Sequence, residues 1–187
     1  MKLLHIDSAI TGEQSVSRKL TEDIVARLRE GDSSIETTYR DLAAEPLGHL
    51  TLADMPTPEQ TTPVLEEFLA AGVIVLGAPM YNFNISSQLK AWIDRILVAG
   101  RTFRYSEAGP IGLAGDKRVI VAVSRGGFYG VDSGMRGAEH AETYLTTVFG
   151  FIGVTPEFVI AEGILVGHEQ RQAAIAQADQ DIAALVD

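Results

Sequence analysis

The chain has 187 residues and a formal net charge of −10, and it contains no cysteine. That length suits one domain able to bury its own core, and hydrophobic and charged fractions of 46% and 21% exclude a disordered chain. The acidic balance argues against a nucleic-acid partner, the missing thiols exclude disulfides and thiolate catalysis, and no apolar run reaches the length of a membrane span. Met1 leads into a strand-like segment without a secretory pattern, so a cytoplasmic protein with no membrane partner is expected.

Leu3 to Ile6 is a short apolar run that predicts a buried first strand, with His5 a core histidine and Asp7 closing the run. Leu20, Ile24, Val25 and Leu28 then recur at helical spacing, with Ser17 expected as the N-cap and Gly31 as the stop. Ile35 to Arg40 alternates and predicts a second, more exposed strand. The four prolines between Ala43 and Pro63 predict a loop with turns. Val64 to Ala71 predicts a helix, and Val73 to Leu76 a third strand ending at Gly77-Ala78-Pro79. Ser86 to Val98 predicts an amphipathic helix that includes Leu89, Trp92, Ile93 and Ile96. Arg118 to Val123 predicts a fourth strand, Ala138 to Phe149 a helix, Phe158 to Ala161 a fifth strand and Gln170 to Val186 a closing helix. Short apolar strands alternating with helices predict an α/β fold whose parallel sheet is covered on both faces. Five such strands predict a doubly wound, flavodoxin-like domain over residues 1–187 with strand order 2-1-3-4-5.

In such a sheet ligands bind outside the carboxyl ends of the strands, and three segments there have unusual composition. Ser8 to Ser17 opens a helix and is rich in hydroxyl side chains, as a phosphate cradle at a helix N-terminus would be; an ordinary N-cap has the same look. Ala78 to Ser86 sets Met80, Tyr81, Asn82 and Phe83 at the edge, suited either to the face of a heteroaromatic ring or to covering the core. Ser124 to Gly130 brings Arg125 and the pair Gly126-Gly127, which allow either close backbone approach or positive φ. Neither a Walker loop nor a GxGxxG fingerprint is present. A nucleophile elbow is missing too, which argues against a serine hydrolase. His5, His49, His140 and His168 show no metal-ligand spacing, so no metal is expected, and His140 and Glu142 are expected on an exposed helix.

The run APMYNFNIS at Ala78 to Ser86, with Leu89-Lys90 following, resembles the FMN-dependent NADH-azoreductases, also described as NADH:quinone oxidoreductases. So do SVS at Ser15 to Ser17, TFRY at Thr102 to Tyr105, SRGG at Ser124 to Gly127 and FGFIG at Phe149 to Gly153, in order along nearly the whole chain. The resemblance implies FMN as cofactor. Ser15, Val16 and Ser17 would be on its phosphate, Met80 to Phe83 along the isoalloxazine ring, and Ser124, Arg125, Gly126 and Gly127 on the pyrimidine side. It implies a homodimer in which Tyr105 and Phe151 help form the acceptor pocket, and the apolar Phe149 to Val154 stretch suits an interface core. Where the family often has Ser after Asp-Ser, this chain has Ala9, which keeps its backbone N–H and lacks the hydroxyl. The implied reaction is a ping-pong transfer of two electrons from NADH or NADPH to a quinone or azo compound, with hydride arriving at flavin N5 and no catalytic acid–base set. A 2′-phosphate on the donor would call for a nearby cation, for which Arg101, Arg104 and Arg125 are candidates. The residues also fit a flavodoxin-type electron carrier with a protein redox partner, or a module that keeps the fold without the flavin.

Overall fold

Five strands form one parallel sheet in the computed structural model, which describes residues 1–59 and 61–185. The elements are β1 (Lys2–Asp7), α1 (Val16–Gly31), β2 (Glu36–Asp41), α2 (Pro63–Ala70), β3 (Val73–Pro79), α3 (Ser87–Ile96), β4 (Phe103–Ser106), β5 (Gly109–Gly112), β6 (Arg118–Arg125), α4 (Ala141–Phe151), β7 (Glu157–Glu162) and α5 (His168–Ala183). The sheet order is β2-β1-β3-β6-β7. With β4 and β5 set apart as an antiparallel hairpin, that is the 2-1-3-4-5 order predicted for the core strands.

The central strands carry side chains to both faces with a period of two. Leu4, Ile6, Ile74, Leu76, Val119, Val121 and Val123 build one core with α2, α3 and α4. Leu3, Val73, Val75, Ile120, Ala122, Val159 and Ala161 build the other with α1 and α5. The helices answer with single apolar stripes: Leu20, Ile24, Val25 and Leu28 on α1, and Leu89, Trp92, Ile93 and Ile96 on α3. A stripe of this width faces the sheet and leaves the opposite side to solvent. Edge strand β2 has little to bury and is mostly exposed.

Several boundaries differ from the sequence expectation. Helix α1 is capped by Ser15, not Ser17: a short 3₁₀ turn, Gly12–Gln14, ends two residues earlier, and Ser15, extended at φ −73°, accepts the Arg18 N–H on its hydroxyl at 3.3 Å. Helix α4 starts at Ala141 and not Ala138, because Arg136–Ala138 form their own 3₁₀ turn. Val186, expected to end the last helix, lies outside the described residues. The hairpin of β4 and β5 was not foreseen, since its strands have four residues each and bury only Phe103. No helix among the described residues is long and apolar enough to cross a membrane.

The hairpin is locked to the body by a backbone contact. A Cβ on Gly112 would lie 2.1 Å from the carbonyl carbon of Ile152, so only glycine lets β5 approach the turn after α4. Gly112→Ala forces the two backbones apart and is expected to cost about 1–3 kcal/mol, read as a lower urea midpoint; an unchanged midpoint would show that the hairpin docks otherwise.

Candidate functional site

The parallel sheet brings four connections to one edge: residues 8–15 after β1, 80–86 after β3, 126–140 after β6 and 163–167 after β7. Backbone and side-chain hydrogen bonds tie them to one another and to the strand ends. Ser8 Oγ donates to the Gly77 carbonyl at 2.7 Å. The Met80 N–H donates to the Ser124 carbonyl at 2.9 Å, and the N–H groups of Gly163 and Leu165 donate to the carbonyls of Gly127 and Gly126 at 2.9 and 3.0 Å. The Tyr81 hydroxyl accepts the Ile10 N–H at 3.2 Å.

Between these connections lies a cleft of about 520 Å³, lined by Ser15 and Val16, by Met80 and Tyr81, and by Ser124 and Gly126. A wider groove of about 780 Å³ shares Met80 and Tyr81 and continues past Asn82 to Lys90 and Tyr144. Each of the three segments singled out in the sequence therefore contributes to the cleft. Ser17 is buried behind Ser15, their hydroxyl oxygens 3.1 Å apart. The first-turn amides of α1 have no intrahelical acceptor and face this edge. Ala9 is wholly buried and its carbonyl accepts Arg18 Nη2 at 2.8 Å. The donor chemistry suits an anionic group at the α1 end and a flat apolar body along Met80 and Tyr81.

The middle segment is a tight turn. Tyr81 and Asn84 exchange backbone bonds at 2.8 and 3.1 Å, and both residues between them are left-handed, Asn82 at φ 48° and Phe83 at φ 72°. Asn tolerates that region, whereas Phe83 is held there at a cost of about 1–2 kcal/mol. Two contacts hold it: its carbonyl accepts the His140 N–H at 3.0 Å, and its ring meets Tyr129 edge-on at 6.3 Å.

Arg125 departs from expectation. It is only 1% exposed, and its guanidinium points into the protein. Glu142 accepts one of its N–H groups, while Glu162 and Glu139 approach within 3.4 and 3.5 Å. Residues alternate across a strand, so with Ser124 toward the cleft its neighbour must face elsewhere. Arg125 is thus no contact for a ring or a 2′-phosphate through its side chain; it joins the end of β6 to α4 and β7. Glu142 is accordingly half-buried instead of lying on a solvated face. Burial alone would raise the Glu139 carboxyl, but the N–H groups of Glu142 and Thr143, the Thr143 hydroxyl and the Arg125 charge hold it below the usual range. Nor does Gly126-Gly127 use positive φ; a Cβ on Gly126 would meet the end of the exposed Leu165 side chain at 2.9 Å, a contact that side chain can relieve by moving.

Tyr105 and Phe151 come together around Phe103, with ring centroids 5.6 and 4.6 Å from it. Tyr105 is 73% exposed. This cluster stands at the far end of α3 and α4, about 15 Å along helices whose N-termini are at the cleft. Of the remaining cation candidates, Arg101 is engaged with Glu66 at 2.8 Å, and Arg104 is exposed on the hairpin.

Thr11 and Gln14, within the Ser8 to Ser17 segment, also line the cleft, and sequence reasoning missed Ile164, Leu165 and Arg171, which complete its wall. Arg171 has one legible signal, its place in the first turn of the helix that follows the last strand. Among the described residues no group of acidic and histidine side chains suits a metal ion.

Behind the first connection, His5, Asp7 and Thr21 form a buried polar group, which the hydroxyl of the more exposed Tyr39 joins from the edge. Asp7 accepts from Thr21 at 2.9 Å and Tyr39 at 3.1 Å, and His5 Nε2 is 3.5 Å from it. Burial raises the Asp7 carboxyl. It also lowers His5 from 6.5 to about 4 and, with Asp7 beside it, pushes Tyr39 up to about 12.

The chain is similar to proteins of one kind along its whole length. A family model described as flavodoxin-like fold matches residues 1–186. FMN-dependent NADH:quinone oxidoreductase 2 of Bradyrhizobium diazoefficiens is 57% identical over 194 aligned positions that cover 96% of each chain. The structure resembles an azoreductase from Bacillus anthracis with a TM-score of 0.85 and 28% identity, over 99% of this chain and 100% of that one. An FMN-dependent NADH-azoreductase of the same species, solved in complex with FMN, gives 0.83 and 26% over 100% and 99%.

Two measurements test the site's interior. Removing the buried cation among the three carboxylates, as in Arg125→Met, leaves only the more exposed Arg136 near two of them, at 3.9 and 3.7 Å from Glu139 and Glu142, and is expected to cost about 3–5 kcal/mol, with Arg125→Lys restoring only part of it, because a single ammonium does not span the three acceptors; a urea midpoint for the lysine variant equal to wild type would contradict the geometry. His5 stays neutral in the fold below the pH at which the unfolded chain protonates it, so its contribution is present above about 6.5 and is lost as pH falls toward about 4. His5→Gln should therefore flatten the urea midpoint across that window, and parallel wild-type and variant curves would rule His5 out.

Proposed function

The chain belongs to the flavodoxin-like family of the FMN-dependent NADH:quinone oxidoreductases, and we propose that it passes two electrons from NADH or NADPH to quinones and azo compounds in a ping-pong cycle, using FMN held at the carboxyl edge of the sheet. The observation that carries this reading is the convergence of Ser15 and Val16, Met80 and Tyr81, and Ser124 and Gly126 on one cleft. When bound, FMN supplies the hydride chemistry that no protein side chain has.

The chain's own residues bind and orient. Ser15, Val16 and Ser17 offer first-turn amides and two buried hydroxyls to the phosphate. The Ala9 amide is near the same turn. Met80 and Tyr81, with Asn82 and Phe83 in their left-handed turn, line the ring. Ser124, Gly126 and Gly127 offer backbone groups to its pyrimidine side, and Arg125 fixes that backbone from behind. Donor and acceptor use the same open groove in turn, which is why one cleft serves both. Products take protons from solvent, since the cleft offers no paired acid and base.

Tyr105 and Phe151 cannot reach the cleft of their own chain from the far ends of α3 and α4. We assign them to the cleft of a second copy, so that a homodimer carries two complete sites. The exposed ring of Tyr105 beside Phe103 supports this.

The test is a visible spectrum of the protein after FMN loading and washing, followed by NADH without oxygen. Retained flavin bands that bleach support the reductase. Bands that persist point to an electron carrier, and absence of bands rejects the flavin site. Initial rates with NADH and quinone varied together should give parallel lines; intersecting lines would remove the shared-groove cycle.

A further inference from the structure

The proposed phosphate end of the cleft lies in a chain of net charge −10. A phosphate monoester brings about 1.5–2 further negative charges. Helix amides and serine hydroxyls offer only partial charge against it, so which cation serves the site is a physical question. Arg18 is near but engaged: it pairs with Asp41 at 2.8 Å and Asp7 at 3.6 Å and donates twice to the Ala9 carbonyl. Lys19 is paired with Asp23 and Asp179. Arg125 is enclosed by its glutamates.

Arg171 is different. It stands in the first turn of α5, which packs beside α1 on the same face of the sheet, so both helices start at the same edge. Its Nη2 donates to the Gln14 carbonyl at 3.3 Å, one residue before Ser15, and it lines the same cleft as Ser15, Val16 and Gly126. Among the described residues it forms no ion pair, Glu13 and Glu169 included. A guanidinium has five donors in a planar fork; one rests on Gln14, and the others are left for an anion in the cleft.

We propose that Arg171 supplies the positive charge for the phosphate of bound FMN, reaching over from α5 to a cradle built by the loop after β1. The inference rests on the flavin reading above. It makes the phosphate site a joint product of the two ends of the chain, and it gives this protein a charge-assisted contact outside the motifs by which the family is recognised.

The experiment compares wild type, Arg171→Gln and Arg171→Lys, each titrated with FMN and with riboflavin, which lacks the phosphate, by quenching of flavin fluorescence at low and high salt. The expected result is FMN affinity weakened about 10- to 100-fold in Arg171→Gln, riboflavin affinity unchanged, a shallower salt dependence and partial recovery in Arg171→Lys. Equal losses for FMN and riboflavin would make Arg171 a structural residue and overturn the proposal. So would unchanged FMN affinity, including the case in which only the KM for NADH rises. Wild type that binds neither flavin would sink the flavin reading itself, a result distinct from either.

Discussion

Parallel pairing in register is the constraint from which the site follows. β3 and β6 match residue for residue from Val73 and Arg118 to Pro79 and Ser124, and β6 and β7 match as far as Arg125 and Glu162. Both sheet faces are packed, so no strand slides without moving its side chains to the wrong core. The carboxyl ends are thereby held level, and four connections have to share one edge. Bonds such as Ser8 to Gly77 and Met80 to Ser124 then join loops that are far apart in the chain. Close packing reaches the backbone itself: a Cβ on Gly77 would be 2.7 Å from an Asp7 carboxyl oxygen.

Charge is distributed to serve that edge. Two arginines are withdrawn into the protein and surrounded by carboxylates, Arg18 behind the first connection and Arg125 behind the third. Each fixes backbone: Arg18 holds the Ala9 carbonyl, and Arg125 gathers the starts and ends of three elements. Buried ion pairs contribute little net stability but impose one arrangement, which is what loops without regular structure need. Among the described residues Arg171, by contrast, lines the cleft and forms no ion pair.

The turn from Tyr81 to Asn84 shows how local strain is maintained. Phe83 keeps a left-handed backbone because the Tyr81–Asn84 exchange, the His140 N–H and the Tyr129 ring all act on it. The segment between β6 and α4 thus supports the segment after β3. The β4–β5 hairpin, by contrast, is remote from its own cleft and presents Tyr105 outward, as an element that serves another copy would.

Much of the fold was legible from the chain alone, since period-two and helical spacings of apolar residues are local and strong. The strands and the three edge segments rest on patterns within about ten residues, while the strand order was an expectation of the doubly wound fold class and not of any local pattern. What needed the tertiary structure is whatever depends on direction or distance in space. Ser15 and Ser17 are equally good caps by composition, and only the end of the Gly12–Gln14 turn chooses between them. Arg125 reads as a ligand contact beside two glycines until strand alternation turns it inward toward glutamates 14, 17 and 37 positions away in the chain. The hairpin hides because its only buried side chain is Phe103 and the rest of its anchor is a backbone contact at Gly112. Arg171 is separated by 157 positions from the Gln14 carbonyl it touches. Residue type determined which chemistry the chain had available; the packing of α1 against α5 decided where that charge would stand.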